Sequence, residues 1–149
     1  MMGSLKATPY KPNLYNREIF TYGNCAILAK ELHKITGWEL ALSHWGTSKR
    51  RFFGRVPEDT LRTASHAVVI SPCKKFVIDV DGLQTVDVFK QKWNSMVTSV
   101  NYKNFEEATG HWNFYTNHGT DLLKRSLTLK HQIQLANKMA KRIVNKIGI

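Results

Sequence analysis

A thiol, an imidazole and a carboxylate stand at Cys25, His66 and Asp79. These three types can carry out acyl transfer at a carbonyl. The thiolate attacks, the imidazole takes and returns a proton, and the carboxylate fixes the ring. Each residue also has a plainer reading. A cysteine near a helix start is more often an inert core residue, and a lone histidine is more often a surface side chain at a strand edge. Asp79 or Asp81 can simply open the turn at Gly82, which suits Asp81 better because Asp-Gly is a turn signal. What separates the readings is whether the local elements can bring the three side chains together.

The elements follow from periodicity. Leu28, Leu32 and Ile35 recur at helical spacing with Ala29 beside them, which predicts a helix over 25–36. Lys30, Glu31 and Lys34 take its other face, and His33 its polar side. Asn24 occupies the N-cap position and Gly37 the position of a C-terminal glycine. Cys25 therefore falls in the first turn, where the helix dipole and unpaired N–H groups favour a thiolate. It shares a face with Leu28, Ala29 and Leu32, so it points toward a sheet.

Residues 65–80 predict that sheet. HAVVI and FVIDV flank SPCKK, as in an antiparallel hairpin. A four-residue loop, Ser71 to Lys74, pairs Ile70 with Lys75, Val68 with Val77 and His66 with Asp79. The other face then pairs Val69 with Phe76 and Ala67 with Ile78, both apolar. So the register that buries one face sets a carboxylate opposite the imidazole. A slip by two residues substitutes Asp81 and keeps the same face.

The remaining segments complete an α+β domain. Residues 1–22 read as an irregular arm that Tyr10, Tyr15, Phe20 and Tyr22 can pin to the core. Residues 38–46 read as a strand or two, 47–55 as a basic turn, 57–64 as a short helical turn, and 83–96 as helical in part. Residues 97–120 give no pattern. From Asp121 to Ile147 a long helix is expected, with an apolar seam of Leu129, Ile133, Ala136, Ala140, Ile143 and Ile147. Its opposite face carries Lys124, Arg125, Lys130, Lys138, Lys141, Arg142 and Lys146. The expected division is an arm (1–22), an α+β core (23–120) and a basic amphipathic C-terminal helix (121–149), in a single domain.

The run GNCAILAKELHKITGW, then SHAVV, then KFVIDVDG, resembles the core of small papain-like and transglutaminase-like cysteine enzymes over residues 23–82. The resemblance implies a Cys-bearing helix packed on a small antiparallel sheet. It also implies Cys25 as nucleophile, His66 as base and Asp79 as orienting acid, with the Cys25 N–H as one oxyanion donor. Asn24, Asn16 and Trp45 are candidates for the second donor. The implied activity is a cysteine-dependent amide-bond reaction on a protein or peptide, whether as protease, deamidase or transamidase, without a cofactor. Two features depart from the family pattern. Val68 stands where transglutaminase-type strands often place an aromatic residue, and the basic C-terminal helix has no counterpart. A small protein of this kind suits a bacterial effector or a phage-encoded protein.

Charge opens a competing reading. In 149 residues, 22 Lys and Arg stand against 11 Asp and Glu, a formal net charge of +11. An excess of that size suits an anionic partner. Lys49, Arg50, Arg51 and Arg55, with two Phe among them, and the basic C-terminal helix are the surfaces for it. The alternative function is then a non-catalytic protein binding nucleic acid or an acidic partner. His33, His44, His111, His118 and His131 lack metal-ligand spacing, and no phosphate-binding glycine loop occurs. With two cysteines and no apolar leader or membrane-length run, a soluble protein of the reducing cytoplasm is expected.

Overall fold

A computed structural model of the chain describes residues 5–21, 24–45, 63–110, 112 and 129–149. It is a mixed α+β architecture with a six-stranded antiparallel sheet. In chain order the described elements are β1 (Thr8–Pro9), α1 (Leu14–Thr21), α2 (Cys25–Thr36), β2 (Glu39–His44), β3 (Ala64–Ile70), β4 (Phe76–Asp79), β5 (Gly82–Thr85), α3 (Val86–Trp93), β6 (Met96–Ser99), α4 (Tyr102–Thr109) and α5 (Leu129–Ile147). The strands lie in the order β1-β5-β4-β3-β2-β6. No described helix is long and apolar enough to cross a membrane.

Alternation along the strands sorts the core into two layers. Leu40, Leu42, Ala67, Val69, Ile78 and Leu83 pack with α1, α2, α4 and α5. Ala41, Val68, Ile70 and Val77 face the other way and pack around Phe89 of α3. The helix expected over 25–36 has those bounds, and Gly37 closes it in the left-handed region (φ 74°), its N–H donating to the His33 carbonyl. Three details of α2 differ from expectation. Asn24 is at the N-cap, but its side chain makes no capping bond. Glu31 is buried, its carboxylate accepting from Lys34 Nζ at 2.9 Å and Asn137 Nδ2 at 3.1 Å. His33 turns back along the chain, its Nδ1 lying 2.6 Å from the Trp38 carbonyl.

Residues 1–22, read as irregular, contain β1 and α1. Gly82 allows β1 to close the sheet edge: its φ is +99°, and an added Cβ would run into the backbone of Thr8 and Tyr10. The segment 83–96 begins as strand β5 and becomes α3 only at Val86, where the Thr85 hydroxyl accepts from Val88 N–H. Residues 97–109, which gave no pattern, form α4 and all of β6 but its first residue, Met96. On α5 the buried line is Gln132, Ala136, Met139, Ala140 and Ile143, whereas Ile133 is exposed. Ala136, Ala140 and Ile143 of the expected seam are thus in the core, Ile147 packs against it, and Ile133 departs from it, while Asn137 on the same helix bonds Glu31 of α2. Lys124, Arg125, the basic turn 47–55, residues 57–62, and His111 and His118 lie outside the described residues, as does the start of the C-terminal helix at Asp121.

Candidate active site

The hairpin β3–β4 sets the site. Its register is Val69↔Ile78 and Ile70↔Val77, two residues from the expected pairing. The reason is local. Ser71 is still part of the ladder: its N–H donates to the Phe76 carbonyl, and its hydroxyl accepts from Phe76 N–H at 3.1 Å. The loop is therefore Pro72 to Lys75, with Lys74 in the left-handed region at φ 65°. A two-residue shift preserves the faces, so His66 and Asp79 remain on the same side of the sheet. Carried down the ladder, this register would bring Asp81 opposite His66. The chain instead turns at Val80–Asp81 into β5, pairing Asp79 with Gly82. Asp79 thus approaches the imidazole diagonally, and His66 Nε2 lies 3.1 Å from Asp79 Oδ2.

The two aspartates have separate surroundings. Oδ1 of Asp79 accepts from Gln84 Nε2 at 2.8 Å and from the Asp81 N–H at 2.9 Å. That leaves Oδ2 to the imidazole. Asp81 bonds Arg17 Nε at 3.2 Å and Lys92 Nζ at 2.6 Å, tying α1 and α3 to the turn. Burial pushes its carboxyl up, but Lys92 and Arg17 outweigh this and hold it below its ordinary value.

His66 is fully buried. Its ring stacks on Trp93 at 4.5 Å between centroids, with Phe89 behind at 5.9 Å. On the far side of the strand a β-bulge between Ser43 and His44 shifts the pairing from Ser43↔His66 to His44↔Ala64. Such a bulge re-aims the neighbouring side chains. Burial by itself lowers the pKa of His66. Against it act Cys25, chiefly through its charge, and Asp79, through the hydrogen bond it accepts and its own charge, and together they raise it to about 10. At neutral pH the ring is then an imidazolium, and both nitrogens are donors. Nε2–H donates to Asp79. Nδ1 makes no hydrogen bond of good geometry among the described residues, so the tie to Cys25 is chiefly one of charge. On its own face of the sheet the ring is held by Asp79 and Trp93, while Cys25 belongs to the α2 layer.

Cys25 opens α2 and is 2% exposed. The Asn24 carbonyl accepts from Ile27 and Leu28 N–H, and the Asn24 N–H donates to the Ile19 carbonyl, so α1 sets where α2 begins. Several buried polar atoms of the described residues have no partner. Asn24 is 1% exposed, and neither Nδ2 nor Oδ1 has a partner among the described residues. Thr21 Oγ1 at the end of α1, His66 Nδ1 and Trp93 Nε1 share that condition. Of the other suggested oxyanion donors, Trp45 is 72% exposed and Asn16 is buried on α1. No group of metal-binding side chains occurs among the described residues.

Sequence reading missed Trp93, Gln84 and the unmet carboxamide of Asn24. The first two carried signals: Phe89 and Trp93 have helical spacing, and Gln84 alternates onto the face of Val77. Comparison with family models, curated proteins and solved structures gives no match to this chain.

Proposed function

We propose that the chain is a cysteine-dependent acyl-transfer enzyme of papain-like or transglutaminase-like type acting on amide bonds. The observation that carries this reading is the His66–Asp79 bond at 3.1 Å, in a ring whose other charge partner is Cys25. The sulphur of Cys25 attacks the carbonyl carbon, and the carbonyl π pair moves to oxygen. First-turn N–H groups of α2 face the negative charge that develops there. The imidazolium of His66 gives its proton to the departing nitrogen as the C–N bond breaks, leaving a thioester on Cys25. Water or an amine then attacks the thioester. His66 takes the incoming proton, and the C–S bond breaks to return the sulphur. Asp79 holds the ring in place and offsets its charge through both steps.

Alkylation tests this directly. Cys73 is an internal reference that is exposed and bonded by Ser71, which holds its thiol below the ordinary value. Iodoacetamide at pH 7, read by peptide mass spectrometry, should modify Cys25 about tenfold faster than Cys73 or more, and His66→Gln should abolish the difference. Equal rates, or an advantage that survives His66→Gln, overturns the reading.

A further inference from the structure

Ion pairs among the described residues join Glu31 to Lys34, Glu39 to Lys74, Asp81 to Arg17 and Lys92, Glu106 to Lys30 and Asp79 to His66. None of them takes a cation of α5. Lys130, Lys138, Lys141, Arg142 and Lys146 of that helix are all exposed, and no acidic residue follows Asp121 in the chain. At 3.6 residues per turn the five fall within an arc of about 160°, opposite the buried Ala136 and Ala140. Lys138 repels Lys141 and Arg142, and Arg142 repels Lys146, at spacings of three and four. The helix dipole favours Lys146 in the last turn but opposes Lys130 in the first. Nothing in the packing calls for this array, whereas an anionic partner would neutralise it.

The chemistry of the arc selects among anions. Its other exposed residues are His131, Gln134 and Asn145, and the one apolar side chain on it is the half-buried Leu135 at its border. The apolar face of α5 is spent on the core, so none is left to enter a bilayer. The helix has no Phe, Tyr or Trp, the residues that stack single-stranded bases or anchor protein interfaces. Four of its five exposed cations are lysines, which protein interfaces tend to exclude and DNA interfaces accept. From Lys130 to Lys146 the helix runs about 24 Å, the length of about seven phosphates on one duplex strand. The B-form major groove admits a helix, and the deep, narrow A-form groove does not. At the C-terminal end Lys146 shares a hollow of about 570 Å³ with Lys11, Thr8 and Tyr10, so a sixth cation extends the track.

We infer that the exposed arc of α5 binds duplex DNA through its phosphates, without reading sequence. This surface stands whether or not Cys25 is a nucleophile. Fluorescence anisotropy of the whole protein with a labelled DNA duplex of about 20 base pairs, at salt from about 50 to 200 mM, tests it. The logarithm of the binding constant should fall against the logarithm of salt with a slope of about −4 or steeper, about 0.9 for each phosphate contact. Lys138→Gln, Arg142→Gln and Lys146→Gln together should make the slope shallower by about 2.7. Lys130→Gln with Lys141→Gln, a second α5 variant should the first not fold, should make it shallower by about 1.8. Lys6→Gln, Lys75→Gln and Lys103→Gln together remove three charges from exposed positions off α5, and should change it by less than about 1. A control that loses as much as the triple α5 variant would mean that net charge alone attracts DNA, and overturns the proposal. So does the absence of DNA binding at about 50 mM salt. Tighter binding, at equal anion concentration, to an RNA duplex, to phosphatidylserine vesicles or to polyglutamate overturns it as well.

Discussion

Asn24 gives the residue scale its clearest test. Removing a polar group that serves the fold costs stability, and one left unmet burdens the fold. With both amide atoms buried and unpartnered among the described residues, Asn24 is of the second kind. Asn24→Leu keeps the branched shape with a larger volume, removes the unmet groups and forfeits no side-chain cap, since none is made. It should be as stable as wild type or gain up to about 1–2 kcal/mol in urea unfolding. A loss of more than about 1 kcal/mol would mean that the carboxamide has a structural partner. Trp93 differs, because its indole covers the face of His66. Removing it should expose the His66–Asp79 bond to water and weaken it.

At the element scale, what could be read in the sequence depended on how local each signal was. Helix α2 is legible to the residue because Leu28, Leu32 and Gly37 are all within one segment. The hairpin was legible in its faces but not its register, since Ser71 decides by two bonds whether it belongs to the loop or the strand. The identity of His66's partner survived that error because alternation conserves the face while the turn at Val80–Asp81 selects Asp79. Strand β1 was not legible at all. Two residues carry no periodicity, and its existence depends on Gly82, seventy-odd positions away, leaving room for the backbone of Thr8 and Tyr10. Hence Gly82→Ala should cost about 2 kcal/mol or more, through positive φ and backbone collision together. Hydrogen exchange at the Tyr10 amide, which bonds the Asp81 carbonyl, should accelerate. Normal stability with an unchanged Tyr10 amide would show that β1 docks without needing the glycine.

For the whole molecule, the buried charge of His66 and the surface excess of +11 make opposite demands as pH rises. Lysines and arginines carry that excess, and lysine side chains ordinarily lose charge only in the strongly alkaline range. Relief of their mutual repulsion can only stabilise the fold there. His66 acts the other way. Its pKa rises on folding from the ordinary 6.5 to about 10. Below pH 6.5 the ring is protonated in both folded and unfolded chains, and the interactions that favour the imidazolium contribute their full stabilisation. Above it the unfolded ring becomes neutral while the folded ring still holds its proton, so at His66 the folded state binds one proton more. The proton that the proposed thiolate gives up on folding offsets this until the unfolded thiol ionises at about pH 8.5. Beyond that, stability declines until the folded ring also loses its proton near pH 10. The decline is a few kcal/mol at most, roughly the linkage value of such a shift, softened by local rearrangement. Asp81 and Glu39, both held below their ordinary values, act only on the acid side and do not enter this window. Urea midpoints measured at intervals from pH 7 to pH 10 should be level for wild type up to about pH 8.5 and fall beyond it. They should be flat or rise slightly for His66→Gln, in which only the surface charge remains. A wild-type curve that does not fall above about pH 8.5 would mean that the buried imidazole is neutral, and the thiolate–imidazolium reading would be lost with it.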